Sequence, residues 1–109
     1  RFRLDTETPN AQFYNGAGPI GDLAVDLNDK AIYRVLANGA SSAITMNNGT
    51  PVTGAAGSDN PNGVSVGARA DLNQYIKATY LFIIVLDGVE SAGEEDASWT
   101  YINSLYTIY

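Results

Sequence analysis

Residues 99–109 read Trp-Thr-Tyr-Ile-Asn-Ser-Leu-Tyr-Thr-Ile-Tyr, and the fold class turns on this run. Taken at a period of two, Trp99, Tyr101, Leu105 and Tyr109 fall on one face, with Ile102, Tyr106 and Ile108 on the other. Aromatic and β-branched residues in alternation predict a strand. Residues 79–86 (TYLFIIVL) repeat the feature. There Tyr80, Phe82, Ile84 and Leu86 oppose Leu81, Ile83 and Val85, so both faces are apolar.

Working outward, residues 22–27 (DLAVDL) set Leu23, Val25 and Leu27 against Asp22, Ala24 and Asp26. That is the alternation of a half-buried strand. Residues 64–70, 31–37 and 43–46 read as further strands, and Phe2 with Leu4 and Phe13 with Tyr14 as short ones near the N-terminus. Asn-Gly pairs at Asn15, Asn38, Asn48 and Asn62, with Asp87-Gly88, supply the residues that two-residue hairpin turns require. Residues 50–62 carry small residues and prolines without periodicity and read as an exposed loop, and residues 72–78 read as at most one short helix. The expected fold is all-β: one domain over residues 1–109, an antiparallel β-sandwich or Greek-key barrel of about seven to eight strands.

Composition excludes several function classes. The chain has no cysteine and no histidine, which removes thiolate nucleophiles, thiolate metal ligands, disulfides and the commonest general base together. Twelve acidic against six basic residues give a net charge of −6, so the basic footprint that nucleic acid demands is missing. An anionic membrane surface is disfavoured for the same reason, and the apolar run at 80–86 is too short to span a bilayer. No signal segment is read at the N-terminus, where the chain opens on Arg1 as a processed or trimmed chain would. A composition rich in Gly, Tyr, Asn, Ser and Thr, with two lysines, points to an extracellular or virion-surface setting.

Candidate chemistry is limited to carboxylates and aromatics. Asp87, Glu90, Glu94, Glu95 and Asp96 crowd into ten residues without an intervening base. Calcium takes six to eight oxygen ligands and suits such a loop, although EF-hand spacing is absent; an acidic loop can equally be a solvated face. Asp22, Asp26 and Asp29 form a second, sparser cluster. No carboxylate pair is marked out for glycoside hydrolysis, and no enzyme activity is expected. Trp99, Tyr101, Tyr106 and Tyr109 on one segment would suit sugar stacking, which keeps a secreted carbohydrate-binding module as an alternative. Asn48-Gly49-Thr50 is a formal glycosylation sequon.

Residues 18–34 (GPIGDLAVDLNDKAIYR) resemble a β-hairpin segment of phage tail-fibre and virion-surface proteins, in which a Gly-Asp-Leu strand turns through a polar loop into a strand ending in Tyr. Asn28 and Asp29 stand where that pattern usually carries Thr or Gly. The resemblance implies a fibre or capsid-decoration component and transfers no catalytic residue.

Two doubly apolar strands exceed what one small core needs, and an uncovered apolar strand is an aggregation site. The leading expectation is therefore a structural subunit that self-associates, with Tyr80, Phe82, Ile84, Trp99, Tyr101, Tyr106 and Tyr109 at the interface. Phe2 and Leu4 join them if the N-terminal strand is donated, as in a pilus-like filament. The partners would be copies of this chain, a capsid or a host-surface glycan. No cofactor other than calcium is implied.

Overall fold

The computed structural model describes the backbone of residues 2–5 and all of residues 10–26, 28–57 and 79–109. The predicted strand at 64–70, the short helix at 72–78, the Asn62-Gly63 turn and Leu27 lie outside the described residues. Among those described, the chain forms two small antiparallel sheets and one long helix, and this overturns the seven-to-eight-strand sandwich or barrel.

The first sheet orders β1 (Phe2–Asp5), β2 (Asn10–Phe13) and β3 (Ile20–Ala24) side by side. Phe2 pairs with Phe13 and Leu4 with Ala11, and a register irregularity falls between Ala11 and Phe13 on the β3 side. The second sheet orders β4 (Tyr33–Leu36), β5 (Ser42–Met46) and β6 (Val52–Gly54). A 3₁₀ turn at Gly39–Ser41 joins β4 to β5. There the buried Ser42 hydroxyl donates to the Gly39 carbonyl at 2.8 Å and accepts the Asn38 N–H at 3.0 Å, so this buried polar group is satisfied locally.

The sheets meet over Ala11, Phe13, Ile20, Val25, Ile44 and Ala56. Glycines set how closely they approach. A Cβ on Gly21 would stand 2.7 Å from Ile44 Cγ2 and 2.9 Å from the Ala11 carbonyl oxygen, and one on Gly54 would stand 2.7 Å from Ile20 Cγ2. Gly21 also has φ +86°, a backbone state that side chains with a Cβ adopt at a cost.

The helix α1 (Ala92–Tyr106) occupies most of the C-terminal run that alternation assigns to a strand. The same residues satisfy the helical period. Trp99, Ile102 and Tyr106 stand at i, i+3 and i+7, and the first two are buried. The start signal lies upstream, in Ser91-Ala92-Gly93-Glu94. The Glu94 carboxylate accepts the Ser91 N–H at 2.8 Å, and the Ser91 hydroxyl accepts the Glu94 N–H at 3.4 Å, a capping box. Asn103 closes the other end, its Oδ1 accepting the N–H groups of Ile108 and Tyr109, with Thr107 left-handed at φ 48°.

Other expectations change with the sheets. Residues 18–34 do not close a hairpin, because β3 and β4 belong to different sheets. The connection between them buries Val25 against the inter-sheet core and Ile32 against the helix. The expected exposed loop at 50–62 instead contains β6, an edge strand, and the fully buried Ala56. The Ala56 carbonyl accepts the N–H groups of Asn15 and Ala17, so its small residues serve close packing. The left-handed pair after β5 is Asn47-Asn48 rather than Asn48-Gly49, and the Gly49 N–H donates to the Met46 carbonyl at 2.9 Å. The expected strand at 79–86 belongs to neither sheet. Strand propensity reports fit to a pleated neighbour, and no described sheet edge pairs with it.

Candidate functional site

The helix and the segment before it form a second centre. Ile32, Trp99 and Ile102 make a small buried cluster, bordered by Phe82, Tyr106 and Ile108. Asn47 places Ile32 there: its Oδ1 accepts the Ile32 N–H at 2.9 Å, while its own N–H donates to the Ile32 carbonyl at 3.0 Å. The Phe82 and Tyr106 rings stack with centroids 5.5 Å apart, and the Trp99 and Tyr109 rings meet edge-on at 6.5 Å.

Polar contacts complete the docking. Arg34 on β4 reaches Glu90 through Nε at 3.3 Å and Glu95 through an Nη at 3.2 Å. Glu90 also accepts the Ser98 hydroxyl at 2.9 Å, and Glu95 accepts the Trp99 indole N–H at 3.4 Å. At the far end the Lys30 ammonium donates to the Tyr106 carbonyl at 3.4 Å, a cation where the helix dipole is negative.

This arrangement disperses the acidic run. Glu94 caps the helix, where hydrogen bonds from the Ser91 side chain and backbone hold its carboxyl below the usual value of 4.5. Glu90 and Glu95 are held by Arg34, while Asp87 and Asp96 are exposed. The second cluster is divided in the same way. Asp22 accepts from Asn10 and Gln12, whereas Asp26 accepts the Asn28 backbone and side-chain N–H groups. Among the described residues, no three carboxylates converge on a point where a cation would sit. Burial raises the Tyr33 phenol above its ordinary value of 10.0.

The residues expected at an interface divide sharply. Trp99 is buried at 2% exposure and Phe82 and Tyr106 are half-buried, so they hold α1 in place. Of the four aromatics expected to form a sugar-stacking platform, Tyr101 and Tyr109 alone are exposed. Phe2 and Leu4 lie on β1, paired to the chain's own β2. Tyr80 and Ile84 are exposed, and their neighbours join them: Leu81, Ile83, Val85 and Leu86 range from 43% (Leu81) to 68% (Val85). Leu105, one helical turn beyond Tyr101, is exposed as well. Apart from Phe82, the whole apolar run at 80–86 therefore faces solvent. Its one hydrogen bond among the described residues is from the Tyr106 hydroxyl to the Leu81 carbonyl, at 3.3 Å.

The period-two reading missed Arg34 and Ser91. Ser-x-x-Glu ahead of an apolar run was the available signal for Ser91. Nothing local marks Arg34, whose partners lie more than fifty residues away.

No family model, no curated protein and no solved structure matches this chain.

Proposed function

We propose that this chain is a structural subunit that assembles with copies of itself by burying the apolar surface at residues 80–86. One observation carries the reading: six large apolar side chains in a seven-residue run are exposed beside a helix that is capped at both ends. Fully exposed aromatic side chains present roughly 150–250 Å² each, and the aliphatic ones that make up most of this run somewhat less. At about half exposure the six, with the other exposed apolar residues Val89, Tyr101, Leu105 and Tyr109, sum to on the order of 1,000 Å². A stable interface needs about 800 Å² from each partner. The composition favours an extracellular or virion-surface setting for the assembly.

Filament formation by donation of β1 is less favoured, because Phe2–Asp5 already pairs in cis with β2 and a donated strand would have to leave it. Light scattering over a wide concentration range tests the proposal. A defined oligomer is expected, converted to monomer by Ile84→Asp with Val85→Asp. A monomer at every concentration would refute it. Loss of the oligomer on deleting residues 1–5, with residues 80–86 intact, would return the reading to strand donation.

A further inference from the structure

Resting on that self-association, we infer that two copies join by antiparallel pairing of residues 80–86 about a two-fold axis at Ile83. Four observations lead there. Residues 79–86 contain no charge, proline or glycine, and so lack the features that protect exposed strand edges. The run pairs well with its own reverse: around Ile83, Phe82 meets Ile84, Leu81 meets Val85 and Tyr80 meets Leu86. Aromatic–aliphatic pairs of this kind stabilise neighbouring strands.

Charge selects the direction. A parallel, in-register pair would set Asp87 against Asp87 of the second copy. The antiparallel pair sets Asp87 against Thr79 and places the two carboxylates at opposite ends.

The hydrogen bond from Tyr106 selects the edge. In an extended strand, successive residues point their N–H and C=O groups to opposite edges. The Leu81 carbonyl is already engaged by the Tyr106 hydroxyl at a bend in the chain. When the run straightens into a strand on pairing, residues 81, 83 and 85 would therefore keep their backbone groups toward the helix, and residues 80, 82, 84 and 86 would turn theirs to the second copy. Ile83 then faces its symmetry mate as a non-hydrogen-bonded pair, with Cα atoms about 4.5 Å apart. Such a contact uses the same patch on both subunits and closes as a dimer.

The chain has no cysteine of its own, which permits a clean test. Single cysteines are placed at exposed positions as Ile83→Cys, Tyr80→Cys and Leu86→Cys in the full chain, and disulfide formation is followed under mild oxidation alongside native mass. Ile83→Cys should convert almost completely to a covalent dimer, since its Cα separation falls within the disulfide range of about 4.4–6.8 Å. Tyr80→Cys alone should not, its mate lying roughly 20 Å away at ~3.4 Å per residue. A mixture of Tyr80→Cys with Leu86→Cys should crosslink. Equal crosslinking of every single variant would overturn the antiparallel register, as would an oligomer in which Ile83→Cys stays reduced, and in both cases self-association would survive. A monomeric native protein would remove both proposals.

Discussion

Truncating Ile102 and Tyr101 in turn separates the helix from the strand that the same sequence suggests. In α1, Ile102 packs with Trp99 and Ile32 at 8% exposure, while Tyr101 is 65% exposed. In a strand, Tyr101 would share the face of Trp99 and Ile102 would point away. Ile102→Ala removes three carbons worth about 0.8 kcal/mol each in transfer. The cavity left behind brings the cost to about 3 kcal/mol, within the usual 2–5 kcal/mol range. Against a total stability of roughly 5–15 kcal/mol for a domain of this size, that is a large loss. Tyr101→Ala should stay within about 0.5 kcal/mol, as surface changes do. Trp99 is the only tryptophan and lies in the affected cluster, so its fluorescence reports unfolding directly. With a urea slope of about 2 kcal/mol per molar, Ile102→Ala should lower the midpoint by about 1.5 M and leave the slope unchanged. Measured at concentrations where the native mass is monomeric, a Tyr101→Ala loss as large as that of Ile102→Ala would refute the helical packing.

Arg34→Met should cost about 1–3 kcal/mol, because it leaves Glu90 and Glu95 beside one another without their shared cation; adding Glu95→Gln should recover part of the loss, and an unchanged melting temperature in the single variant would show that the bridge holds nothing. Ser91→Ala should cost about 1 kcal/mol through the lost cap, read as reduced helical circular dichroism on warming. The Glu94 carboxyl is lowered by its bonds to Ser91, so its contribution is present above the unfolded-state value and lost as pH falls through the lower folded value. Acid unfolding of Glu94→Gln should accordingly be less steep in that window. Gly21→Ala should destabilise by more than about 1 kcal/mol, since its Cβ meets Ile44 and the Ala11 carbonyl, whereas Gly93→Ala, in α1 with open space around it, should stabilise by about 0.5–1 kcal/mol. Chemical denaturation of both variants checks the pair.

Much of the β region was legible because its signals are local. The alternation around Leu23 and Val25, the aliphatic runs at 31–37 and 43–46, and the turn residues Asn15-Gly16 act through neighbours on the chain, and each lies on or beside an observed strand, whereas the turn after β5 falls one residue earlier than the Asn48-Gly49 pair suggests. The C-terminal run was misread because its apolar residues fit two periods. Trp99, Ile102 and Tyr106 satisfy the helical spacing as well as Trp99, Tyr101 and Leu105 satisfy the extended one. The Ser91–Glu94 box, outside the run, was the local feature that breaks the tie.

The sequence by itself determined the absence of thiol and imidazole chemistry, the acidic balance, and an excess of apolar side chains near the C-terminus, because these depend on residue type alone. It also carried the helix start at Ser91, written in four consecutive residues. The tertiary structure alone decided which apolar residues are spent on the chain's own packing and which are left over. Burial is a property of what lies opposite a side chain, and opposite Trp99 lies Ile32, held by Asn47 and followed two residues later by the Arg34 that engages Glu90 and Glu95. Among the described residues nothing comparable covers Ile83, Ile84 and Val85, and so an apolar run that composition made conspicuous became an exposed surface.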